Sequence, residues 1–202
     1  RHLQMAVDRG DRQGEVLSRG NYGMVLTDAG RAAEARDHFE QALETAREIG
    51  DRVGEVHLLG NLGNHAYAQG RLEAARTLFS QALALSRETR SPMGEEIATG
   101  NLGNVCYALG YYAEALEHYG RTLALTRDSG DRYIEIVCLS AQGEVNLWLG
   151  AYDRSRERLE AAHAIALEAS APFPLAELLN HSAMLEEFAG RAEAAQSRID
   201  EA

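Results

Sequence analysis

Apolar residues recur at helical spacing along most of the chain. The clearest stripe lies within 72–83, where apolar side chains follow one another three or four positions apart: Leu72, Ala75, Phe79, Ala82 and Leu83. This spacing places them on one face of a helix. Related stripes lie 40 residues away on either side: Ala35, Phe39, Ala42, Leu43, and Ala115, Tyr119, Leu123. The pattern predicts amphipathic helices with a 40-residue period.

Glycine separates the predicted helices at intervals of 20 residues. It stands at Gly10, Gly30, Gly50, Gly70, Gly110, Gly130, Gly150 and Gly190. Arg90 and Ser170 occupy the two other grid points, and Pro92 and Pro172 follow them. Glycine ends helices because it adopts the left-handed conformation easily, and proline suits the first turn of a new helix. The grid therefore predicts helices of about 17 residues, each roughly 25 Å long, joined by tight turns.

Successive helices alternate in character, so the repeating unit is a hairpin of two helices, A and B. Asp11, Asp51 and Asp131 are suited to N-capping helix A, and a glutamate follows four residues later. The A helices are predicted at 12–29, 52–69, 92–109, 132–149 and 172–189. The B helices are predicted at 32–49, 72–89, 112–129 and 152–169, with another beginning at 192. The repeats are then 11–50, 51–90, 91–130, 131–170 and 171–202, and 1–10 match the end of a preceding B helix.

Small residues recur in the middle of every A helix, at Gly23, Gly63, Gly103, Gly143 and Ala183. Glycine inside a helix costs about 1 kcal/mol relative to alanine, so its recurrence predicts close packing against a partner helix. A single hairpin would leave its apolar faces in water, and stacking buries them. We expect one array over 1–202. Because its register starts and stops inside hairpins, we also expect a piece of a longer array.

Composition narrows the class of protein further. The net charge is −11, which disfavours binding to nucleic-acid phosphates. All 20 basic residues are arginine, which excludes lysine chemistry and suggests a GC-rich bacterial genome. No apolar run approaches the roughly 20 residues of a membrane span, and no signal peptide is visible. We expect a cytoplasmic protein, and we interpret Cys106 and Cys138 as buried reduced thiols.

The repeated strings resemble a known family. Repeat two contains Asn61-Leu62-Gly63-Asn64 followed by Gly70, Ala75, Phe79 and Ala82, and repeat three contains Asn101-Leu102-Gly103-Asn104 followed by Gly110, Ala115 and Tyr119. These positions resemble the tetratricopeptide repeat, in a 40-residue Leu-Gly-Asn variant found in spindle-orientation adaptors and in bacterial regulators. The resemblance implies an all-α fold, a right-handed superhelical solenoid of antiparallel helix hairpins with about five repeats. It weakens in repeat four, where Ser155 and Leu159 replace the alanine and the aromatic residue.

The resemblance also implies that A helices line a concave groove that holds an extended peptide or a partner helix. Groove-facing positions that match are His57, Asn64, Tyr67, Asn104, Tyr107, Glu144, Trp148 and Met184. An asparagine amide both donates to and accepts from a peptide backbone, although asparagines in such strings also cap or cross-link helices. Trp148, the only tryptophan, either packs against the next repeat or is a binding hot spot.

No motif for catalysis, a metal or a cofactor is found. The seven histidines are scattered; His57 and His65 are two turns apart on one helix and form no metal-binding string. We therefore expect a protein–protein interaction scaffold and not an enzyme. Two alternatives stay open: a ligand- or peptide-sensing array of a bacterial signalling protein, and a homo-oligomerisation domain whose exposed ends pair two copies.

Overall fold

The computed structural model describes residues 2–169 and 178–191, and every regular element in these ranges is an α-helix. Residues 178–191 form the described part of a further helix. Between 12 and 168 the predicted helix bounds agree with the structure to within one residue. The start of the predicted fifth A helix, 172–177, and the B helix expected from 192 lie outside the described residues. The helices are α1 (His2–Arg9), α2 (Arg12–Asp28), α3 (Ala32–Ile49), α4 (Arg52–Ala68), α5 (Leu72–Glu88), α6 (Pro92–Ala108), α7 (Tyr112–Ser129), α8 (Arg132–Trp148) and α9 (Tyr152–Glu168).

The chain divides into two compact units, Arg1–Leu109 and Gly110–Ala202. In the first unit, α2 packs on α3 and α4 packs on α5 as hairpins, and each A helix also contacts the preceding B helix. The A helices α2, α4 and α6 contact one another in order. In the second unit, α8 packs against both α7 and α9. The A helices α2, α4 and α8 are therefore each held by the B helices that precede and follow them in the chain, and α6 packs on the preceding α5.

The mid-helix glycines make room for large side chains of the B helices. A Cβ atom on Gly23 would lie 2.5 Å from Cε1 of Phe39, and one on Gly63 would lie 2.5 Å from Cε1 of Phe79. In the second unit, Leu159 replaces the ring, and its Cδ2 lies 2.6 Å from the Cβ position of Gly143. The predicted close packing is confirmed at these three glycines.

The turns between helices use the left-handed backbone region, as the glycine grid predicted. Gly50 has φ 71° and Gly70 has φ 69°, and Arg90 takes the same conformation with φ 54°. Gly190, which was predicted to end helix A, lies inside the helical residues 178–191, so that prediction is wrong. Glycine permits a left-handed turn without imposing one. Here the helix continues to Arg191, whose guanidinium donates to the carboxylate of Glu187 one turn earlier.

The starts of the A helices are capped as predicted. The side chains of Asp11 and Asp51 accept from the backbone N–H groups of Gly14 and Gly54, each at 2.9 Å. Asp131 accepts from the N–H of Ile134 at 3.1 Å. Repeat three has no aspartate at this position, and Ser91 accepts there from Gly94 at 3.2 Å.

Three carboxylates near the starts of A helices are buried. Glu15, Glu55 and Glu135 are only 7–8% exposed. Glu55 accepts from Arg47 Nε at 2.9 Å and from Arg52 Nη1 at 3.0 Å. A buried carboxylate is stable when it is paired and hydrogen-bonded. The arginines also cover it, which a helical pattern alone does not reveal.

Candidate functional site

A cleft of about 150 Å³ opens between two successive A helices of the first unit, α4 and α6. Its floor consists of buried residues, which include Val56 of α4, Phe79 and Ala82 of α5, and Ala98 of α6. The cleft lies where the face of one A helix meets that of the next. Its rim includes the exposed His57, Asn64, Met93 and Ile97, with the half-buried amides of Asn61 and Asn101 beside them.

The two walls of the cleft come from equivalent positions in successive repeats. His57 and Ile97 stand 40 residues apart and face each other's helix, and Asn61 and Asn101 form a second such pair. This regularity follows from the identical helix phase of α4 and α6, which begin at 52 and 92. As a result of the 40-residue period, each of the two repeats contributes one wall of the cleft.

Of the predicted groove residues, His57 and Asn64 line this cleft. Tyr67, Asn104 and Tyr107 lie on the same two helices and do not line it. Tyr67 is 38% exposed, Asn104 is exposed, and Tyr107 is half-buried. The structure therefore brings two of the five first-unit candidates together and places the other three farther along the helices.

The asparagines of the cleft do not cross-link the helices. Within the described part of the chain, the side-chain amides of Asn61, Asn64 and Asn101 make no hydrogen bond, so no capping or cross-linking role is seen for them. Each amide offers two donor hydrogens and one acceptor oxygen. The cleft therefore combines an apolar floor with a rim of polar amides that can bind a peptide backbone.

The other three predicted residues lie in the second unit. Trp148, at the end of α8, packs against Phe188 with ring centroids 6.0 Å apart and an interplanar angle of 54°. Met184 is half-buried against the apolar core of that unit. Trp148 nevertheless keeps 49% of its surface exposed, so it both packs against the next helix, as one interpretation held, and presents an aromatic surface.

A polar cluster in the second unit was missed by the sequence analysis. Ser140 Oγ lies 3.0 Å from His181 Nδ1, and His181 Nε2 lies 3.6 Å from Glu144 Oε2. Ser140 and His181 are both buried. The contacts tie α8 to the helical residues 178–191. Because Ser140 and His181 are 41 positions apart, no local sequence pattern predicts their contact.

The histidines His57 and His65 have different environments although they share α4. His57 is exposed at the cleft rim, whereas His65 is buried with its ring centroid 6.5 Å from that of Phe39. Burial lowers the pKa of His65, and the positive charges of Arg71 and Arg36 lower it further. His65 is a core residue and does not act together with His57.

Other chemistry is sparse in the described residues. In 2–169 and 178–191, no group of three or more metal-ligating side chains is close enough to hold an ion. Cys106 and Cys138 are both buried thiols, as predicted. No described helix combines the length and the apolar character that crossing a bilayer requires.

Comparison with known proteins decides the family. The tetratricopeptide repeat model matches residues 14–88 and 95–168. The chain belongs to the tetratricopeptide repeat family. No curated protein matches the sequence significantly.

Solved tetratricopeptide-like structures share the fold at low sequence identity. Aspartyl phosphate phosphatase F from Bacillus subtilis has a TM-score of 0.79 and 14% identity, and the match covers 94% of this chain and 52% of that one. BtubC (BKLC) from P. vanneervenii has a TM-score of 0.76 and 16% identity, covering 98% and 87%. A Rap protein complexed with competence and sporulation factor has a TM-score of 0.75 and 18% identity, covering 92% and 55%.

These likenesses confirm the predicted fold class, an all-helical tetratricopeptide-like solenoid of about five repeats. The chain spans about half the length of the Bacillus subtilis phosphatase that it matches.

Proposed function

We propose that this tetratricopeptide repeat protein is a protein-interaction scaffold that holds a peptide segment or helix of a partner on its A-helix face. The observation that carries the proposal is the cleft between α4 and α6, with its buried apolar floor and amide rim. Repeat solenoids commonly bind partners on extended concave surfaces. A peptide crossing the rim would exchange hydrogen bonds with Asn64 and place a side chain into the cleft.

Each unit also presents predicted residues outside the cleft. Tyr67 is exposed on α4, and Asn104 is exposed on α6, so a segment longer than the cleft would contact them. In the second unit, Trp148 offers an exposed ring and Glu144 a carboxylate. Aromatic side chains are enriched at protein interfaces. We propose these residues as further contacts to a protein partner.

A peptide-sensing regulatory array is the second candidate. It is favoured by the likeness to the Rap protein, which was solved in complex with competence and sporulation factor. Both functions use a bound peptide, and they differ in the consequence of binding for the rest of the protein. The proposed bacterial and cytoplasmic setting fits either one.

Selection of peptides from a random displayed library tests the scaffold function. Selected peptides are expected to bind the parent protein and to bind Asn64→Ala about 10-fold more weakly, which is the effect of losing one or two net hydrogen bonds. Gln81→Ala is the matched control because Gln81 is an exposed amide on α5 away from the cleft. Equal binding by the parent, by Asn64→Ala and by Ala98→Leu, which changes the floor of the cleft, would show that the A-helix face is not the site.

Light scattering over a range of concentrations tests the remaining alternative. A scaffold for a foreign partner is expected to stay monomeric without peptide. Concentration-dependent dimers would instead support the prediction that exposed ends pair two copies.

A further inference from the structure

The cleft between α4 and α6 has a filled counterpart one repeat earlier. Between α2 and α4, Cδ2 of Leu58 lies 3.5 Å from the Cβ position of Gly20. Leu58 is 3% exposed, so its side chain occupies the space between these helices. Ala98 is the residue 40 positions after Leu58, and Gly60 is the residue 40 positions after Gly20. The shorter side chain of Ala98 leaves the equivalent space open, and the cleft lies there.

Gly60 differs from Gly23 and Gly63, the A-helix glycines that pack against phenylalanine rings. Gly23 and Gly63 have no room for a side chain, because atoms of the Phe39 and Phe79 rings lie 2.5 Å from their Cβ positions. A Cβ atom on Gly60 would meet no heavy atom of the described chain within 4 Å, its own helix backbone excepted. Glycine is less favourable than alanine inside a helix, and no packing contact explains Gly60. Glycine is also used where a ligand approaches the backbone closely.

The lining of the cleft selects the type of group that it would accept. None of the described residues around it is aspartate, glutamate, lysine or arginine. An ionised group placed there would lose hydration without gaining a counter-charge. An apolar group would instead contact Val56, Phe79 and Ala98. An apolar cavity of about 150 Å³ is large enough for a group the size of benzene.

The charge of the chain indicates which peptide residues would flank the side chain held in the cleft. The net charge is −11, so the chain as a whole disfavours acidic segments and favours basic ones. The amides of Asn61, Asn64 and Asn101 stand at the cleft with no hydrogen bond to the described residues. These amides would meet the backbone on either side of a buried side chain.

We propose that the cleft over Gly60 and Ala98 is a specificity pocket for one leucine- or methionine-sized side chain of a bound peptide with basic flanking residues. The inference rests on the proposed scaffold function and adds the chemical class of its ligand. The pocket is open because repeat three has alanine, Ala98, at the position where repeat two has leucine, Leu58. The leucine side chain fills the space between α2 and α4, whereas the alanine leaves the space between α4 and α6 free for a side chain of the peptide.

The variant that tests the pocket copies the preceding repeat. Ala98→Leu places at position 98 the side chain that Leu58 has one repeat earlier, and it is expected to fill the cleft. Gly60→Leu blocks the same space from the opposite wall, in case one variant fails to fold. Gln81→Leu is the matched control, because it adds a leucine at an exposed position of α5 outside the cleft.

The measurement is a mutant cycle with peptides selected on the parent protein. One apolar peptide position is expected to lose about 10-fold in affinity on replacement by alanine when the parent is the receptor. When the receptor is the Ala98→Leu variant, replacing that peptide residue by alanine is expected to change the affinity less than about 2-fold. The pocket is then already filled, so the peptide side chain has no contact there to lose. Replacement of that position by aspartate should abolish binding to the parent. Melting curves of all variants establish that they are folded.

The outcomes separate the pocket from the scaffold. If Asn64→Ala weakens binding while folded Ala98→Leu and Gly60→Leu bind like the parent, the scaffold stands and the pocket is overturned. If neither Asn64→Ala nor Ala98→Leu weakens binding, both proposals fail. If Ala98→Leu instead dissociates dimers of the free protein, the occupant is a second copy and the peptide pocket is overturned.

Discussion

Arg47 Nε donates to Glu55 Oε1 at 2.9 Å, joining the end of α3 to the start of α4 across the turn. The same bond recurs between Arg87 and Glu95 at 3.0 Å and between Arg127 and Glu135 at 3.1 Å. In each case the two residues are eight positions apart. The contact ties each of these B helices to the A helix that follows it.

Replacing Glu55 by alanine is expected to lower the free energy of unfolding by about 1–3 kcal/mol, because Arg47 and Arg52 both lose a buried, charged acceptor. Denaturation with urea, followed by circular dichroism, measures the change. Glu55→Gln keeps the shape of the side chain and should lose less.

Glu88→Ala is the control for this prediction. Glu88 also pairs with Arg52, at 2.8 Å, but 63% of its side chain is exposed. Exposed ion pairs contribute about 0–1 kcal/mol. Equal losses for Glu55→Ala and Glu88→Ala would show that burial does not strengthen the first contact.

Two glycines of α4 are expected to respond in opposite directions to alanine. Gly63→Ala places a methyl group 2.5 Å from Phe79 Cε1 and should lower the free energy of unfolding by about 1–3 kcal/mol. Gly60→Ala meets open space and should raise it by up to about 1 kcal/mol, the difference in helix propensity. Thermal melting of the two variants side by side checks the prediction. A stabilised Gly63→Ala would contradict the packing role of that glycine.

Arg90→Gly is expected to stabilise the protein. Arg90 has φ 54°, a region that non-glycine residues adopt at a cost, so glycine should gain about 0.5–1 kcal/mol after its greater loss of chain entropy. Thr89→Gly is the control one residue earlier, where φ is −82° and the hydroxyl donates to Leu85 O at 2.9 Å. That variant should not gain stability. The readout for both is the midpoint of chemical denaturation.

His65 is expected to make the stability depend on pH. Burial, with the nearby Arg71 and Arg36, lowers the pKa of His65 from its ordinary value of 6.5. The unfolded chain therefore binds the proton more readily than the folded one, and stability falls as the pH drops from above 6.5 toward the lowered pKa. Unfolding experiments between pH 8 and about pH 5.5, where histidine titrates, are expected to show a smaller decline for His65→Gln. An unchanged decline would show that His65 is not responsible.

Much of the fold could be predicted because its signals are local. The apolar stripe that contains Phe79 and the capping position of Asp51 each depend on residues within one or two helical turns. Gly190 shows the limit of such signals, since a glycine at the expected place did not end its helix. The partners of Glu55 could not be predicted, because Arg47 and Arg52 reach it from two helices.

The candidate site was predicted less completely than the fold. The resemblance to the repeat family assigned His57 and Asn64 to one groove, and the structure shows both at one cleft. The depth of the cleft depends on Ala98, a residue that looks like any other buried alanine of the repeat. Its importance appears only when it is set beside Leu58, which fills the equivalent space.

The sequence by itself determined the helices, their 40-residue period and the residues that each helix turns toward its neighbours. Those features follow from backbone sterics and from burial along single helices, and both act over a few residues. Only the tertiary structure decided which carboxylates are buried, where Ser140 meets His181, and which space between A helices stays open. These depend on the sizes and charges of side chains brought together from separate helices, and no single helix contains that information.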